Sequence, residues 1–492
     1  MFGSRRPALR TAAFAAVALL LLFGNERRGL IGPDEPRYAD IAREMAVSGD
    51  WLTPRLEGEP WFEKPALLYW LGAAFFKLGA PADLATRLPV ALASLAFLLY
   101  FHWRMRRFFG EDAADASALL LASSAGWVAF NLSGVFDLLL AASLGAALLA
   151  LFEWLEEPQR KSGLPWFGAW LGVSVLAKGL VGPALAVGAL LPICFRRGPL
   201  AVARDLFHPR ATGPFLLVAG PWYALLAMRE GWVFAEEFLW RHHVLRVYSP
   251  ELEHLQPWWF YLPVAAAALL PWTPLLGTLR RRDWTGSEQA RLLAAWAVST
   301  LLLFSLARNK LPGYLLPALP PAAALLGLRL SRPPAPRAAL TAAAALLALF
   351  PVVAAVLPRA LAEGLGAAWP PEDWPGLSLA LFGGGAALAA VRIWRSRRRS
   401  LALLAGLTLA SLLYLKIVVY PPLDRIAGTR SAWREAADRA AEVCLGDLRR
   451  HAVYGLRFYS RRELPPCAEK PRRWRLEGDP PRLVMVPDTK RP

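Results

Sequence analysis

Apolar runs that approach the length of a bilayer-crossing helix recur from Thr11 to Tyr420, with clusters of arginine between them. About 20 apolar residues carry a helix across a bilayer, so a chain built this way has few folds open to it. With 56% hydrophobic residues and 21 Trp among 492, the sequence reads as an α-helical polytopic membrane protein. Its formal charge of +18 does not point to nucleic acid. The arginines lie where topology determinants belong, and no basic-aromatic nucleic-acid module accompanies them. The first run, Thr11 to Phe23 behind Arg5, Arg6 and Arg10, has the layout of a secretory signal without an obvious small-residue cleavage site. It is read as an uncleaved first span, with cleavage as the alternative.

Placing the amino terminus in the cytoplasm fixes the rest by the positive-inside rule. Further crossings fall at about 84–103, 115–131, 138–154, 165–177, 183–195, 214–228, 258–279 and 292–306. A tenth ends before Arg329, and three more lie at about 338–357, 376–392 and 401–420. Thirteen spans result, and every arginine cluster lands inside. Residues 1–420 form the membrane domain, with a first outer loop at 24–82. Residues 421–492 lie outside as a small α/β domain. Its strand-like pieces are Ala452-Val453-Tyr454 and Leu483-Val484-Met485-Val486, around a helix near 431–449. Cys444 and Cys467 can pair there if that side is oxidising, whereas Cys194 sits in an apolar run as inert packing.

The first outer loop concentrates acids, bases and aromatics. Asp34 and Glu35 precede Pro36, and Tyr38, Ile41, Ala42 and Met45 recur at helical spacing before Gly49. That predicts a short amphipathic helix carrying Arg37, Asp40, Arg43 and Glu44. A rigid corner, Trp61-Phe62-Glu63-Lys64-Pro65, leads to a second helix at Ala66–Leu78, too short to cross.

Cations left on the outer side break the topology rule and so carry information: Arg37, Lys64, Lys178, Arg241, Arg246, Arg308 and Lys310. Basic groups gathered at one membrane face suit a lipid-linked phosphate. Asp34 and Asp137 begin or end spans at that face. Each can be a helix cap, or a carboxylate that orients or deprotonates an acceptor oxygen. Lys64 can pair with Glu63, Arg37 can be a surface charge, and Tyr314 can be an interfacial belt residue. Trp258-Trp259-Phe260-Tyr261 reads as a belt, or as a flank for a polyprenyl chain. His243 with Glu63 offers a weak Zn²⁺ site, against the reading of solvated histidines; no cofactor is required.

The run DEPRYADIAREM, with SGDW and FEKP after it, resembles the first periplasmic loop of the aminoarabinose transferase (ArnT-like) family. These are relatives of the protein O-mannosyltransferases among the GT-C glycosyltransferases. NLSGVFD resembles that family's outer turn ending in an acid, LAKGL its KG pair, and KLPGY its KLPxY turn. In the segment resembling EHxxR, His242 replaces the glutamate. The resemblance implies a GT-C fold of about thirteen spans, catalytic Asp34 and Asp137, and donor-phosphate contacts from Arg37, Lys64, Lys178, Arg246, Lys310 and Tyr314. It implies a multi-pass enzyme of the bacterial inner membrane with its site facing the periplasm. That enzyme would move a sugar, with inversion, from undecaprenyl phosphate to a periplasmic-face acceptor. Lipid A receiving 4-amino-4-deoxy-L-arabinose is the expected pairing. A protein O-glycosyltransferase and a lipid-linked sugar transporter are the alternatives.

Overall fold

The computed structural model describes residues 5–238, 240, 255–364, 376–393 and 396–486. Its apolar runs are helical because lipid offers no partner for a backbone N–H or C=O, so each segment satisfies its own. Helix α1 (Arg5–Leu22) leads into a loop that carries α2 (Asp34–Ser48), the short antiparallel pair β1 (Arg55–Leu56) and β2 (Glu59–Pro60), and α3 (Leu67–Lys77). Then come α4 (Arg87–Phe109), α5 (Glu111–Ala122), α6 (Ala125–Asn131), α7 (Phe136–Glu156), α8 (Leu164–Lys178) and α9 (Val181–Arg197). Further long helices run over Pro209–Glu230, Glu288–Leu306, Leu319–Ser331, Gly376–Ile393 and Arg397–Tyr414.

Among the described residues, seven helices are long and apolar enough to cross a membrane. An eighth is added if α5 and α6, bent by 60°, form one span. The polytopic helical fold is therefore as expected. The runs expected at 165–177 and 183–195 are α8 and α9, with 15 and 17 residues. The run at 258–279 is broken. A 3₁₀ turn (Trp258–Phe260), an eight-residue helix (Tyr261–Ala268) and a second 3₁₀ stretch (Thr273–Thr278) replace one continuous helix. Pro263, Pro271 and Pro274 each remove a backbone donor there.

α7 is the central helix. Its Leu- and Ala-rich window is 94% buried, so it meets protein on all sides instead of lipid. Small residues bring the helices close. A Cβ at Gly145 of α7 would lie 2.6 Å from the Phe97 ring of α4. One at Gly168 of α8 would lie 1.9 Å from the Ala211 carbonyl oxygen of Pro209–Glu230.

Charges sort to the two ends of the bundle. At one end Arg104 of α4 donates to Glu153 of α7 at 2.8 Å, Arg197 of α9 pairs with Glu288, and Arg332 pairs with Asp283 at 2.7 Å. The other end carries the first loop and the starts of α4 and α7.

After the last long helix, β3 (Val443–Leu445) pairs in parallel with β4 (Trp474–Glu477), which pairs antiparallel with β5 (Arg482–Met485). The helices Thr429–Ala436 and Arg450–Ser460 share a core with this sheet through Ala432, Ala436, Leu456 and Leu476. Cys444 and Cys467 form a disulfide. The strand expected at Leu483–Val486 is β5, and the helix expected near 431–449 ends at Ala436 before a 3₁₀ turn and β3. Ala452-Val453-Tyr454, expected as a strand, lies in the Arg450–Ser460 helix. Ala452, Gly455, Leu456 and Phe458 are buried on one side of the helix, and that longer period overrides the β-prone Val453 and Tyr454.

Gly168→Val is expected to force α8 away from the Pro209–Glu230 helix and to cost about 1–3 kcal/mol. Thermal unfolding in detergent, compared with Gly213→Val at an unobstructed glycine of the same neighbourhood, measures it.

Candidate active site

The sequence-expected residues of the first loop form one acid–base chain. Arg37 donates to Asp34 at 2.6 Å and pairs with Glu63 at 3.1 Å. Lys64 donates to the other oxygen of Glu63 at 2.7 Å. α2 places Asp34 and Arg37 one turn apart, and the pre-proline corner places Glu63 and Lys64 opposite them. Arg37 is buried, with its guanidinium 5.2 Å from both the Tyr38 and the Trp61 rings and 5.8 Å from that of Tyr454. The Asp34 side chain stays 44% exposed.

A second group forms where α7 begins and α8 ends. Lys178 donates to Asp137 at 2.6 Å and lies 4.5 Å over the Tyr314 ring. Gly313 allows this: a Cβ there would sit 2.8 Å from the Asp137 carboxylate. Phe136, which precedes Asp137, meets Tyr38 edge-on at 5.0 Å and Tyr69 at 5.2 Å. This aromatic trio joins the two charged groups. Burial, reinforced by Glu63 and Asp34, raises both tyrosine hydroxyls well above their ordinary range and keeps them neutral. Arg37 Nε, Trp61 Nε1 and the Tyr69 hydroxyl are buried without a hydrogen-bond partner among the described residues. Donors of this kind call for acceptor oxygens.

Lys310, expected among the phosphate contacts, is turned elsewhere. It is buried and donates to the carbonyls of Gln256, at 3.0 Å, and Ala307. Burial lowers its ammonium. A lysine after a helix end finds unpaired carbonyls within reach, and that demand wins over the site. Arg246 and His243 lie outside the described residues. No trio of metal-binding side chains occurs among the described residues. The Zn²⁺ reading does not fit Glu63: both of its oxygens face cations, which repel a further positive ion.

Sequence reasoning missed the group that holds this arrangement. Glu35 is 2% exposed and Arg87 is fully buried. Arg87 donates to Glu35 at 3.0 and 2.7 Å and to the carbonyls of Asn25, Arg28 and Gly29. Glu35 also accepts from the N–H of Gly134 at 2.8 Å and of Ile31 at 3.0 Å. Burial alone would raise the Glu35 carboxyl. Arg87, Arg28 and the hydrogen bonds overcome it and hold it down to about 2. Arg87 was legible as one more cation on the outer side, at the start of the second span.

Residues 63–222 match the family described as dolichyl-phosphate-mannose-protein mannosyltransferase. The chain is 31% identical to the undecaprenyl phosphate-alpha-4-amino-4-deoxy-L-arabinose arabinosyl transferase of Pseudomonas aeruginosa, over 96% of this chain and 91% of that protein. It belongs to this arabinosyl transferase family. Its fold is similar to the crystal structure of ArnT from Cupriavidus metallidurans bound to undecaprenyl phosphate. The TM-score is 0.78 and the identity 27%, over 92% of this chain and 85% of that one. The apo form of that protein gives a TM-score of 0.75. As a member of the arabinosyl transferase family, the chain is a membrane glycosyltransferase.

Glu35→Gln is expected to leave Arg87 buried without its counter-charge and to destabilise the protein by about 3–5 kcal/mol. In the wild type the stabilisation from Glu35 is complete above pH 4.5, its unfolded value, and is lost as pH falls toward about 2. Thermal unfolding of both proteins across that range should converge at the acid end.

Proposed function

We propose that this protein transfers 4-amino-4-deoxy-L-arabinose from undecaprenyl phosphate to lipid A at the outer face of the bacterial inner membrane. The observation that carries this reading is the convergence of Asp34, Arg37, Glu63, Lys64, Asp137, Lys178 and Tyr314 at one end of the bundle. The names of the relatives supply the sugar and the carrier.

The donor phosphate contacts Arg37, Lys64 and Lys178. As the bond between the anomeric carbon and the phosphate oxygen breaks, the electron pair leaves with the phosphate. Those cations stabilise the charge that develops there. An acceptor oxygen attacks from the opposite side, so the configuration inverts. The half-exposed Asp34 orients that oxygen and takes its proton where it carries one. Asp137 holds Lys178 in place. Tyr38 and Tyr69, kept neutral, line the space between the two groups.

The membrane arrangement belongs to the same proposal. Thirteen crossings put the paired arginine clusters in the cytoplasm and the acid–base chain in the periplasm. Residues 421–492 then form a periplasmic domain, and the Cys444–Cys467 disulfide supports an oxidising side for it. A protein acceptor is the second reading, favoured by the match of residues 63–222 to a protein mannosyltransferase family. A transporter would spread its charges through the membrane midplane, and here the site's ion pairs lie at one end of the bundle and those of Arg104, Arg197 and Arg332 at the other.

Asp34→Asn is expected to lower transfer by at least about 100-fold with folding unchanged. Mass spectrometry of lipid A from a deletion strain carrying wild-type or variant protein reads this. Unchanged lipid A alongside glycosylated periplasmic proteins would replace the first reading by the second. Lys178→Met is expected to raise the donor concentration needed for half-maximal rate and to lower the rate. The purified protein with undecaprenyl-phosphate-linked sugar measures both.

A further inference from the structure

A cavity of about 640 Å³ opens on the other side of α2, lined by Arg43, Ala46, Val47, Phe76, Lys77 and Arg461. It lies where the C-terminal ends of α2, α3 and the Arg450–Ser460 helix meet. Arg43 is nine positions after Asp34, which is about 14 Å along the helix and half a turn around it. The cavity therefore does not open onto the acid–base chain, and the proposed transfer does not use it.

Three of its six lining residues are cations and none is an acid. Arg43 is held in place: it pairs with Asp40, donates to the Phe458 carbonyl at 2.6 Å and lies 4.7 Å over the Phe458 ring. Lys77 and Arg461 are exposed and have no side-chain hydrogen bond or ion pair among the described residues. Two acids of the surrounding segments, Asp40 and Glu57, are engaged by Arg43 and Arg457. Beside these cations stand Phe76 and two large exposed apolar side chains, Val47 at 82% and Leu78 at 80%. α3 is apolar and too short to span, and α4 begins ten residues after it ends. Both features suit a cavity whose rim meets the membrane surface.

A pocket with unengaged cations on one side and exposed apolar side chains on the other matches an amphiphile with an anionic head. We propose that this cavity binds the phosphate headgroup of an anionic phospholipid from the surrounding bilayer. Its acyl chains would lie over Val47, Phe76 and Leu78. Arg43 supplies a fixed contact, while Lys77 and Arg461 close on the phosphate from two different helices. Because Arg461 belongs to the C-terminal segment and Lys77 to the first loop, a bound lipid also ties those two regions together.

The test uses the full-length protein in nanodiscs of phosphatidylcholine mixed with phosphatidylglycerol, with retained lipid counted by native mass spectrometry. The wild type is expected to keep phosphatidylglycerol in preference to phosphatidylcholine. Lys77→Gln with Arg461→Gln is expected to bind it more weakly, about fivefold for each charge removed. Both residues are exposed, so the fold is not at risk, and Lys77→Arg with Arg461→Lys should restore retention. Asp34→Asn should lose transfer and keep the lipid, which separates this site from the catalytic reading. Equal retention by the Gln variant, or no preference in the wild type, would overturn the proposal. Displacement of the phosphatidylglycerol by millimolar inorganic phosphate would overturn it as well, since the site would then be a plain anion pocket.

Discussion

The buried pair of Glu35 and Arg87 is the interaction on which the site depends. Taking two charges out of water costs several kcal/mol for each ion, and their mutual attraction offsets that only when the remaining donors and acceptors are also filled. Here they are. Glu35 accepts from Arg87, Ile31 and Gly134, and Arg87 spends its other N–H groups on three carbonyls of the 25–29 loop. Four pieces of chain meet at one carboxylate: the loop after α1, the start of α2, the start of α4 and the turn before α7. Asp34 adjoins Glu35, and Asp137 follows Gly134 by three residues. Fixing one buried acid therefore fixes the backbone beneath both candidate carboxylates.

The site itself is close to neutral. Asp34, Glu63 and Asp137 balance Arg37, Lys64 and Lys178 in four ion pairs, three of them linked through Arg37 and Glu63 and the fourth joining Lys178 to Asp137. An anionic donor gains little from net charge in such a place. Recognition then rests on direction: cations held by carboxylates, and donors on Arg37, Trp61 and Tyr69 that have no partner among the described residues. Pre-pairing also keeps long, flexible side chains ordered before the ligand arrives, which reduces the entropy lost on binding.

Much of this was legible in the sequence, and the failures have physical causes. The α2 and α3 helices follow from apolar spacing and from the length a crossing needs. The gathering of Asp34, Lys64, Asp137 and Lys178 at one end follows from reading the outer cations as exceptions to a topology rule. Glu35 escaped because an acid beside a candidate catalytic acid looks like part of the same surface, and only tertiary contact shows that one points inward and the other out. Lys310 misled because a lysine in a family-like motif can still be claimed by nearby carbonyls. Ala452-Val453-Tyr454 misled because three residues are too few for a period to be seen.

The C-terminal segment is not an appendage, and the charges on the loop that it holds show why. Arg430 donates to the carbonyls of Glu26, at 2.8 Å, and Arg27, while pairing with Asp83 and Asp424. Asp424 accepts from the Gly29 N–H at 2.7 Å, and the Tyr459 hydroxyl accepts from the Leu30 N–H at 2.7 Å. The loop from 25 to 30 is thus gripped from both sides, by Arg87 from the bundle and by these residues from the far end of the chain. That loop buries one apolar side chain, Leu30 against Ala39 and Phe458, and joins no ladder, so its backbone groups depend on the side chains that reach them. Tyr454, on the same C-terminal helix as Tyr459, also faces Arg37 in the acid–base chain. Asp424, Arg430, Tyr454 and Tyr459 therefore complete the architecture that the first loop begins.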